Sequence, residues 1–486
     1  MTDGELLDDA EPHKDVRKAK IVCTLGPSSN TQEQSDALAL AGMDVVRLNF
    51  SHGAHDDHGA LIKKVRDASR RLEKPMSIIA DLQGPKIRTG KLLDGKIVQL
   101  VPGKPFTITT EPVVGTAERV GTTYSHLHEE VRKGDRILID DGLIELKVAE
   151  VKDRDVRCDV INGGDLNEHK GINLPGVKLR IPALTEKDKS DLRFALEQGA
   201  NYIAVSFVRS AEDVLEARQE ALRYGKEPLL IAKLEKSEAI ENLEEIMQAS
   251  DGVMVARGDL GVEMSPEKVP PIQKHIIHRA SEYRMPVITA TQMLESMTRN
   301  PRPTRAEASD VANAIFDGTS AVMLSNETAS GKYPLESVQM MQRIIREAEA
   351  MPRTLARERK LFRLSVAEAI SEAATNAAEV LPVKVIAVFT ETGTTARLIA
   401  HYRPPVPIIG FSPVQETRRR MALLWGVLPR KIDHVADIDE LARTADARLI
   451  EEKLVRKGDL VVIVAGTPLG VRGTTNMIKL HTVGQP

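Results

Sequence analysis

The sequence contains few aromatic residues, few cysteines and no long apolar run. Only 3% of its 486 residues are Phe, Trp or Tyr, so the hydrophobic cores must be built mainly from aliphatic side chains. Two cysteines, Cys23 and Cys158, are too few for the disulfide framework of a secreted protein. No apolar stretch approaches the roughly 18 residues that a membrane span requires. These absences argue against a membrane protein and against a disulfide-rich secreted one.

The net charge and the length of the chain further restrict the kinds of protein that fit the sequence. The formal net charge is −3 and no basic run occurs, so we expect no nucleic-acid partner. Residues 1–17 are mostly polar and lack the apolar core of a signal peptide, so we predict a short flexible tail and a cytoplasmic location. A chain of 486 residues is long enough for about three domains.

Eight short apolar segments alternate with helical patterns. Most are apolar throughout, which is typical of parallel strands buried on both faces. Eight strand-then-helix units predict an α/β fold with a (β/α)₈ TIM barrel. The predicted strands are residues 20–25, 45–50, 77–82, 202–207, 229–234, 252–257, 286–291 and 321–325.

The third unit is interrupted, and the chain changes character again near its end. Residues 97–101, 106–110, 136–139, 143–151 and 156–161 are short strand patterns, and the Asp140-Asp141-Gly142 turn indicates a hairpin. We therefore predict a small β domain (87–182) inserted into the barrel (18–86 and 183–350). Residues 351–486 show a separate α/β pattern, which we predict to be a third domain.

Polar side chains follow six of the eight predicted strands at the point where each strand ends. In a barrel of this type the carboxyl ends of the strands meet at one face, where active sites lie. The residues are Arg47, Asn49, Ser51 and His52; Asp81, Lys86 and Arg88; Lys233 and Glu235; Gly258 and Asp259; Thr291; and Ser325 and Glu327.

These residue types favour phosphoryl-transfer chemistry. The carboxylates of Glu235 and Asp259 are the hard ligands that Mg²⁺ prefers, and Mn²⁺ is an alternative. The cations Arg47, Arg88 and Lys233 can hold a transferring phosphoryl group, whose transfer depends on positioning and charge neutralisation.

Each residue also has a purely structural interpretation when it is taken alone. Lys233 and Glu235 could form an ordinary salt bridge, and Arg47 could pair with Asp81 within the barrel mouth. The carboxylates of Glu235 and Asp259 could cap helices or lie on the surface. A threonine at a strand end, such as Thr291, is usually structural.

Several motifs, in order, resemble those of the pyruvate kinase family. The most specific is the run from Ala290 to Met297, followed by residues 300–307. The resemblance extends from about residue 17 to residue 483. It implies the same three-part architecture, which is a catalytic barrel, an inserted small β-barrel lid and a C-terminal α/β regulatory domain. The matching runs are 20–27, 42–53, 81–90, 170–176, 233–235, 251–263, 290–318 and 323–334.

The resemblance implies phosphoryl transfer from phosphoenolpyruvate to ADP, giving pyruvate and ATP. Lys233, Arg47 and Thr291 would be the catalytic residues, and Glu235 and Asp259 would hold the divalent metal. The substrate would bind to Arg47, Lys233, Gly258, Asp259, Thr291 and Ser325. Pro27, Asn49, His52, Arg88 and Lys170 would line the nucleotide side. The family also implies allosteric control and a homotetramer.

Two positions bear on finer properties of the family. One form of the family requires K⁺, but the sequence after the third strand resembles the other form, in which a lysine ammonium replaces that cation. We therefore expect Lys86 to lie near Asn49, Ser51 and Asp81, and K⁺ not to be required; alternatively, Lys86 faces solvent. Asn326 stands where the family usually has glycine, and asparagine would tolerate a positive φ there.

A second ligand site is expected in the regulatory domain. Hydroxyls, a glycine and free amides at a helix start suit a phosphate, although Thr394 or Thr395 could simply cap the helix. The resemblance implies an allosteric effector here, completed by Arg472 in a second loop. Because Glu391 would repel a second phosphate, we expect a sugar monophosphate or AMP. The site would consist of Thr390, Thr392, Gly393, Thr394, Thr395 and Arg472.

Two other functions remain open. A metal-dependent pyruvate aldolase also uses a metal held by Glu and Asp at barrel strand ends. A catalytically inactive effector-binding homologue would keep the fold without the reaction. The inserted domain and Lys233 argue against the first, and the intact set of charged strand-end residues argues against the second.

Overall fold

The computed structural model describes residues 16–351, 364–435, 437–469 and 473–485. The chain begins with three parallel strands and two helices. The strands are β1 (Lys20–Thr24), β2 (Val45–Asn49) and β3 (Ser77–Asp81), and the helices are α1 (Gln32–Ala41) and α2 (His55–Arg71). A reciprocal capping box between Thr31 and Gln34 starts α1, because each side chain satisfies a backbone N–H of the other residue.

The inserted segment forms a mostly antiparallel β domain, here called the lid, in which only β5 and β6 pair in parallel. Its six-stranded sheet has the order β11-β7-β8-β9-β5-β6, and β4 pairs separately with β10. Asp140, Asp141 and Gly142 all have positive φ and form the hairpin turn between β7 and β8, as predicted. The elements are β4 (Val98–Leu100), β5 (Pro105–Thr109), β6 (Arg119–Gly121), α3 (Leu127–Glu130), β7 (Arg136–Ile139), β8 (Ile144–Lys152), β9 (Asp155–Asn162), β10 (Gly164–Leu166) and β11 (Ile172–Asn173).

The chain then returns to complete the barrel. The eight strands close in the order β1-β16-β15-β14-β13-β12-β3-β2 and are parallel throughout, which confirms the predicted (β/α)₈ barrel. The strands are β12 (Tyr202–Val205), β13 (Leu229–Leu234), β14 (Gly252–Ala256), β15 (Val287–Ala290) and β16 (Ala321–Leu324). The helices are α4 (Glu186–Glu197), α5 (Ala211–Arg223), α6 (Ser237–Glu241), α7 (Leu243–Ala249), α8 (Arg257–Glu263), α9 (Val269–Glu282), α10 (Arg305–Asp317), α11 (Asn326–Ala329) and α12 (Pro334–Ala350).

The barrel is held together by aliphatic packing, as the low aromatic content predicts. Its largest cluster of buried residues consists mainly of Leu, Ile, Val, Ala and Met, and it fills the space between the strands and the surrounding helices. A second, smaller cluster contains Val22, Val45, Ile79 and Ile231, which project from neighbouring strands. Because both faces of each strand are covered, the strands are apolar in sequence throughout.

The C-terminal domain is a five-stranded sheet flanked by helices. The order is β19-β18-β17-β20-β21, and only β21 runs antiparallel to its neighbour. The sequence pattern did not reveal β19, nor β6, β10 and β11 in the lid. The elements are α13 (Val366–Val380), β17 (Val383–Phe389), α14 (Thr394–Tyr402), β18 (Ile408–Ser412), α15 (Gln415–Met421), β19 (Val427–Lys431), α16 (Ile438–Glu451), β20 (Leu460–Gly466) and β21 (Thr475–Thr482).

The C-terminal domain packs against the amino-terminal face of the barrel. Lys20, at the start of β1, donates to the carbonyl oxygen of Val427 at 2.7 Å, and the Tyr202 hydroxyl donates to the carbonyl oxygen of Arg420 at 3.0 Å. These contacts lie at the opposite end of the barrel from the candidate site. Within the described part of the chain, no helix is both long and apolar enough to cross a membrane.

The predicted domain limits remain predictions, and most of the predicted tail, residues 1–15, lies outside the described residues. Asn326 is not among the residues with positive φ; it begins α11 in an ordinary helical position. The tolerance of asparagine for positive φ is therefore not needed there.

Candidate functional site

The Lys233 ammonium lies at the centre of the barrel mouth. Lys233 is the penultimate residue of β13, and its Nζ is 2.9 Å from Glu235 Oε1, 3.3 Å from Asp81 Oδ1 and 2.7 Å from Ser206 Oγ. Burial alone would lower the pKa of this ammonium, but Asp81 and Glu235 raise the pKa above its ordinary value. Lys233 is therefore held as a fixed, buried positive charge.

Asp81 joins Lys233 to Arg47. Arg47 Nε donates to Asp81 Oδ2 at 2.6 Å, and a second guanidinium nitrogen donates to Thr24 Oγ1 at 3.0 Å. Burial would raise the pKa of the Asp81 carboxyl, but Lys233 and Arg47 hold it below its usual value. Arg47 and Asp81 thus form the pair that the structural interpretation predicted, and the pair lies beside Lys233.

Two residues of this network, Ser206 and Thr24, were not predicted from the sequence. Ser206 accepts from Lys233 and donates to the carbonyl oxygen of Leu82 at 2.7 Å. Both hydroxyls lie at the carboxyl ends of strands, Thr24 on β1 and Ser206 just after β12. Polar side chains therefore also lie at the ends of β1 and β12, the two strands for which none was predicted.

Glu235 and Asp259 form a carboxylate pair suited to a divalent cation. Only 1% of the Glu235 side chain is exposed, and within the described part of the chain neither of its carboxylate oxygens accepts a hydrogen bond. Its contact with Lys233 is an ion pair without hydrogen-bond geometry. Burial raises the pKa of the Glu235 carboxyl to about 7. The Lys233 ammonium acts to lower this pKa, and the negative charge of Asp259 acts to raise it. Buried oxygens without donors beside a second carboxylate are what a bound cation requires.

No larger group of metal-ligating side chains is needed to explain such a site. Among the described residues, no cluster of three or more His, Cys, Asp or Glu side chains is arranged around a common point. Mg²⁺ commonly takes one or two protein carboxylates and completes its shell with substrate oxygens and water. Glu235 and Asp259 therefore fit Mg²⁺ or Mn²⁺.

Thr291 occupies a strained position beside α8. Its φ is +68°, and that of Gln292 is +54°, which are unusual values for residues other than glycine. The Thr291 hydroxyl accepts from Gly258 N at 2.8 Å and donates to the carbonyl oxygen of Ala290 at 2.6 Å. Such a conformation costs on the order of 1–3 kcal/mol and is often found at functional sites.

Glu327 supports the loops at the ends of β15 and β16. Its two carboxylate oxygens accept from Leu294 N at 3.0 Å and from Ser325 N at 2.7 Å. Burial raises the pKa of this carboxyl, while the backbone donors lower it. The Ser325 hydroxyl is buried and, within the described residues, makes no hydrogen bond, so it is free to contact a ligand.

The residues assigned to the nucleotide side are more dispersed. Asn49 lies at the end of β2, where its Oδ1 accepts from Ser51 N at 3.2 Å, and Pro27 begins a short 3₁₀ helix after β1. The pKa of His52 is lowered by partial burial and by the cations Arg88, Lys86 and Arg47. Neutral histidine beside several cations indicates a positive local potential, which favours a polyanion.

Arg88 and Lys170 belong to the lid rather than to the barrel. Arg88 donates to the carbonyl oxygen of His169 at 3.1 Å, and Lys170 Nζ forms an ion pair with Asp140 Oδ1 at 2.9 Å. Asp140 is therefore more than a turn residue, because it fixes a lysine that we predicted from the sequence to line the nucleotide side.

Lys86 lies at the base of the lid. A Cβ atom added to Gly171 would lie 3.0 Å from Lys86 Cε, so the lysine side chain packs closely against this glycine and would have to shift for any larger residue. Within the described residues, Lys86 has no hydrogen bond or ion pair with Asn49, Ser51 or Asp81. It is partly buried and not simply solvent-facing.

The C-terminal domain contains a cavity of about 170 Å³ beside the start of α14. Gly393 precedes the helix with φ +88°, and neither Thr394 nor Thr395 caps it, so the capping alternative is wrong. Thr394 Oγ1 lies 3.0 Å from Thr392 Oγ1, and Thr395 Oγ1 lies 2.6 Å from Thr475 Oγ1. Thr390, Glu391, Thr392, Thr394 and Thr395 line the cavity. Arg472 lies outside the described residues.

Comparison with known proteins agrees with this geometry. Residues 16–338 match the family described as pyruvate kinase, barrel domain, and residues 368–481 match pyruvate kinase, alpha/beta domain. The pyruvate kinases of Staphylococcus epidermidis and Staphylococcus saprophyticus are each 48% identical to this chain, covering 96% of it and 81% of their own lengths. The crystal structure of a pyruvate kinase from Cryptosporidium parvum superimposes with a TM-score of 0.91 at 37% identity and covers 98% of both chains.

Two domain matches in the expected order, relatives at 48% identity and a full-length structural match lead to one assignment. The chain belongs to the pyruvate kinase family, phosphotransferases that form pyruvate and ATP from phosphoenolpyruvate and ADP.

Proposed function

We propose that the barrel mouth is the site of this transfer and that Lys233 is its central catalytic residue. The observation that carries the proposal is the buried Lys233 ammonium within 3.3 Å of Asp81, Glu235 and Ser206. The bond between the enol oxygen and phosphorus breaks, and a terminal phosphate oxygen of ADP forms the new bond. Lys233 and Arg47 stabilise the charge on the phosphoryl group, and Lys233 also stabilises the enolate that remains.

Glu235 and Asp259 would hold Mg²⁺ or Mn²⁺. When bound, the cation supplies a further positive charge next to the substrate oxygens. The two carboxylates come from the ends of neighbouring strands, so their separation is set by the rigid barrel. Rigid placement matters because transfer of this kind depends on alignment of the reacting groups.

The backbone amide of Asp259, at the start of α8, would receive the substrate carboxylate. The Gly258 amide and the Thr291 hydroxyl, which are hydrogen-bonded to each other, would exchange that bond for the same carboxylate. The enolate must take up a proton at carbon three to become pyruvate. Thr291 would help to deliver that proton together with water, and the Ser325 hydroxyl and Glu327 lie on the adjacent strand end.

Pro27, Asn49, His52, Arg88 and Lys170 would form the nucleotide side. Since Arg88 and Lys170 are carried by the lid, lid closure would bring them to the ADP phosphates. Closure would also exclude water from the phosphoryl group.

A pyruvate-formation assay separates this function from its two alternatives. A pyruvate kinase releases pyruvate from phosphoenolpyruvate only when ADP and a divalent cation are present. An aldolase of this fold would release pyruvate from a hydroxy-keto acid without ADP, and an inactive homologue would release none. ADP-independent pyruvate release, or none, would therefore refute the assignment.

The proposed function does not require K⁺, with Lys86 supplying the positive charge. The support is the resemblance after β3 and the close packing of Lys86 against Gly171. The test is the initial rate in tetramethylammonium buffer before and after K⁺ is added. Full activity without K⁺, reduced in Lys86→Gln, supports the role, and activity only with K⁺ rejects it.

A sugar monophosphate or AMP is the proposed allosteric effector, bound in the cavity beside α14. The support is the set of hydroxyls at the helix start and the position of Glu391, whose Oε1 lies 3.9 Å from His434. Thermal-shift titrations with each monophosphate and with fructose bisphosphate test the assignment. A shift with the bisphosphate alone would reject it.

A homotetramer is proposed from the family resemblance. Val366 and Val380 on α13 and Leu480 on the adjacent β21 are 67%, 72% and 50% exposed, which leaves an apolar surface for a neighbouring subunit. Light scattering after size exclusion should give a mass close to four times 53.4 kDa.

A further inference from the structure

The helix α8 connects the proposed metal site to a second polar contact. It spans only seven residues, Arg257–Glu263. Its first turn carries Gly258, held by the Thr291 hydroxyl at 2.8 Å, and Asp259. Its last residue, Glu263, lies about one turn after Asp259 and is not part of the proposed substrate or metal contacts.

Glu263 is buried and joins three parts of the molecule. Only 1% of its side chain is exposed. Its Oε1 accepts from Lys236 Nζ at 2.6 Å and from Asn173 Nδ2 at 3.1 Å. Lys236 directly follows Glu235, and Asn173 ends the lid strand β11. One carboxylate oxygen therefore links α8, the segment after β13 and the base of the lid.

A second contact places the lid on the same helix. A Cβ atom added to Gly142, in the β7–β8 hairpin turn, would lie 3.8 Å from Val262 Cγ1 on α8. The lid thus approaches α8 both through a buried polar bond and through its hairpin tip. A displacement of Glu263 would therefore be transmitted to the helix that carries Asp259 and to the segment that carries Glu235.

We propose that Glu263 is a positioning residue that fixes the two metal-binding carboxylates relative to each other and to the lid. It acts on Asp259 through α8 and on Glu235 through Lys236, and it holds the lid through Asn173. The inference rests on the proposed metal site at Glu235 and Asp259. A residue that orients metal ligands typically changes metal affinity by about 10–100-fold when it is replaced.

The test is Mn²⁺ binding to the nucleotide-free enzyme, measured by electron paramagnetic resonance in Glu263→Gln and Lys236→Met. If Glu263 and Lys236 affected the cation only through their charges, loss of the Glu263 carboxylate would weaken Mn²⁺ binding and loss of the Lys236 ammonium would strengthen it. The positioning role predicts the same sign for both, a weakening of about tenfold. Lys236→Met with unchanged or tighter Mn²⁺ binding would overturn the proposal, as would Glu263→Gln with wild-type affinity.

Two further variants separate failure of the inference from failure of the metal site or of folding. Glu220→Gln is the matched control, because Glu220 is also a buried carboxylate, paired with Arg223 at 2.7 Å on α5. It should leave Mn²⁺ affinity unchanged. Glu235→Gln tests the metal site itself: weaker binding there with normal binding in Glu263→Gln would refute the positioning role alone.

The link to the lid has its own measurement. We compare three variants for kcat and for the KM of ADP. They are the single variants Asn173→Ala and Glu263→Gln and the double variant that carries both changes. Because both changes weaken the same hydrogen bond, the combined loss in kcat/KM should be smaller than the product of the single losses. Fully multiplicative losses would show that Asn173 and Glu263 act independently and would overturn the coupling to the lid.

Discussion

Replacing Lys233 by methionine should abolish most of the activity while leaving the fold intact. The variant keeps the length and much of the volume of the side chain but removes the charge. The network around Lys233 then contains one cation, Arg47, instead of two. The carboxylates of this part of the barrel mouth are unchanged and are Asp81, Glu235 and Asp259. Arg47 still pairs with Asp81 at 2.6 Å. Glu235, with a pKa of about 7, can take up a proton, which limits the loss of stability.

The size of the effect follows from Coulomb's law. At about 4 Å and an effective dielectric constant near 20, one unit charge interacts with another by about 4 kcal/mol. If this interaction is made mainly in the transition state, kcat should fall by about 10³-fold. Because Arg47 and the metal still bind the substrate, KM for phosphoenolpyruvate should change by less than about tenfold.

The assay is steady-state pyruvate formation coupled to NADH oxidation by lactate dehydrogenase, with folding checked by thermal denaturation. Lys20→Met is the matched control, because Lys20 is also a buried lysine of a barrel strand. It lies at the opposite end of the barrel, where its Nζ donates to the Val427 carbonyl oxygen. A Lys233→Met enzyme within tenfold of the wild-type kcat would refute the central role of this ammonium.

Three further perturbations test other parts of the structure. Glu235→Gln should weaken Mn²⁺ binding by at least about tenfold, measured by electron paramagnetic resonance; wild-type affinity would exclude Glu235 as a ligand. Burial would raise the pKa of the Asp44 carboxyl, but Arg17 and other cations lower this pKa from 3.8 to about 2. Its carboxylate therefore stabilises the fold above pH 4 by about 2 kcal/mol, lost as pH falls toward 2. Asp44→Asn should lower the denaturation midpoint at pH 7, and a gap to wild type that persists at pH 2 would contradict this assignment. Gly171→Ala should displace Lys86 at a cost of about 1 kcal/mol and reduce activity about fivefold without K⁺; equal losses with and without K⁺ would argue against a cation role.

The sequence alone was enough to predict the barrel and to group a set of polar residues at one end of it. Strands buried on both faces are apolar throughout, and this signal is local, so the eight segments were recognisable without knowledge of their neighbours. The parallel arrangement then places all strand ends together, which is why Lys233, Glu235 and Asp259 could be grouped in advance. The strands β10 and β11 were missed because two or three residues give too little periodicity.

Only the tertiary structure determined how these residues contact each other. The Lys233 ammonium contacts both Asp81 and, at 2.7 Å, Ser206. These contacts depend on the stagger of strands that are distant in sequence. The bond from Asn173 to Glu263 likewise depends on how the lid packs on α8. Residue types and local periodicity indicate which groups lie at the barrel mouth. Strand register and side-chain direction determine which of those groups form bonds, and both are set by the packing of the whole chain.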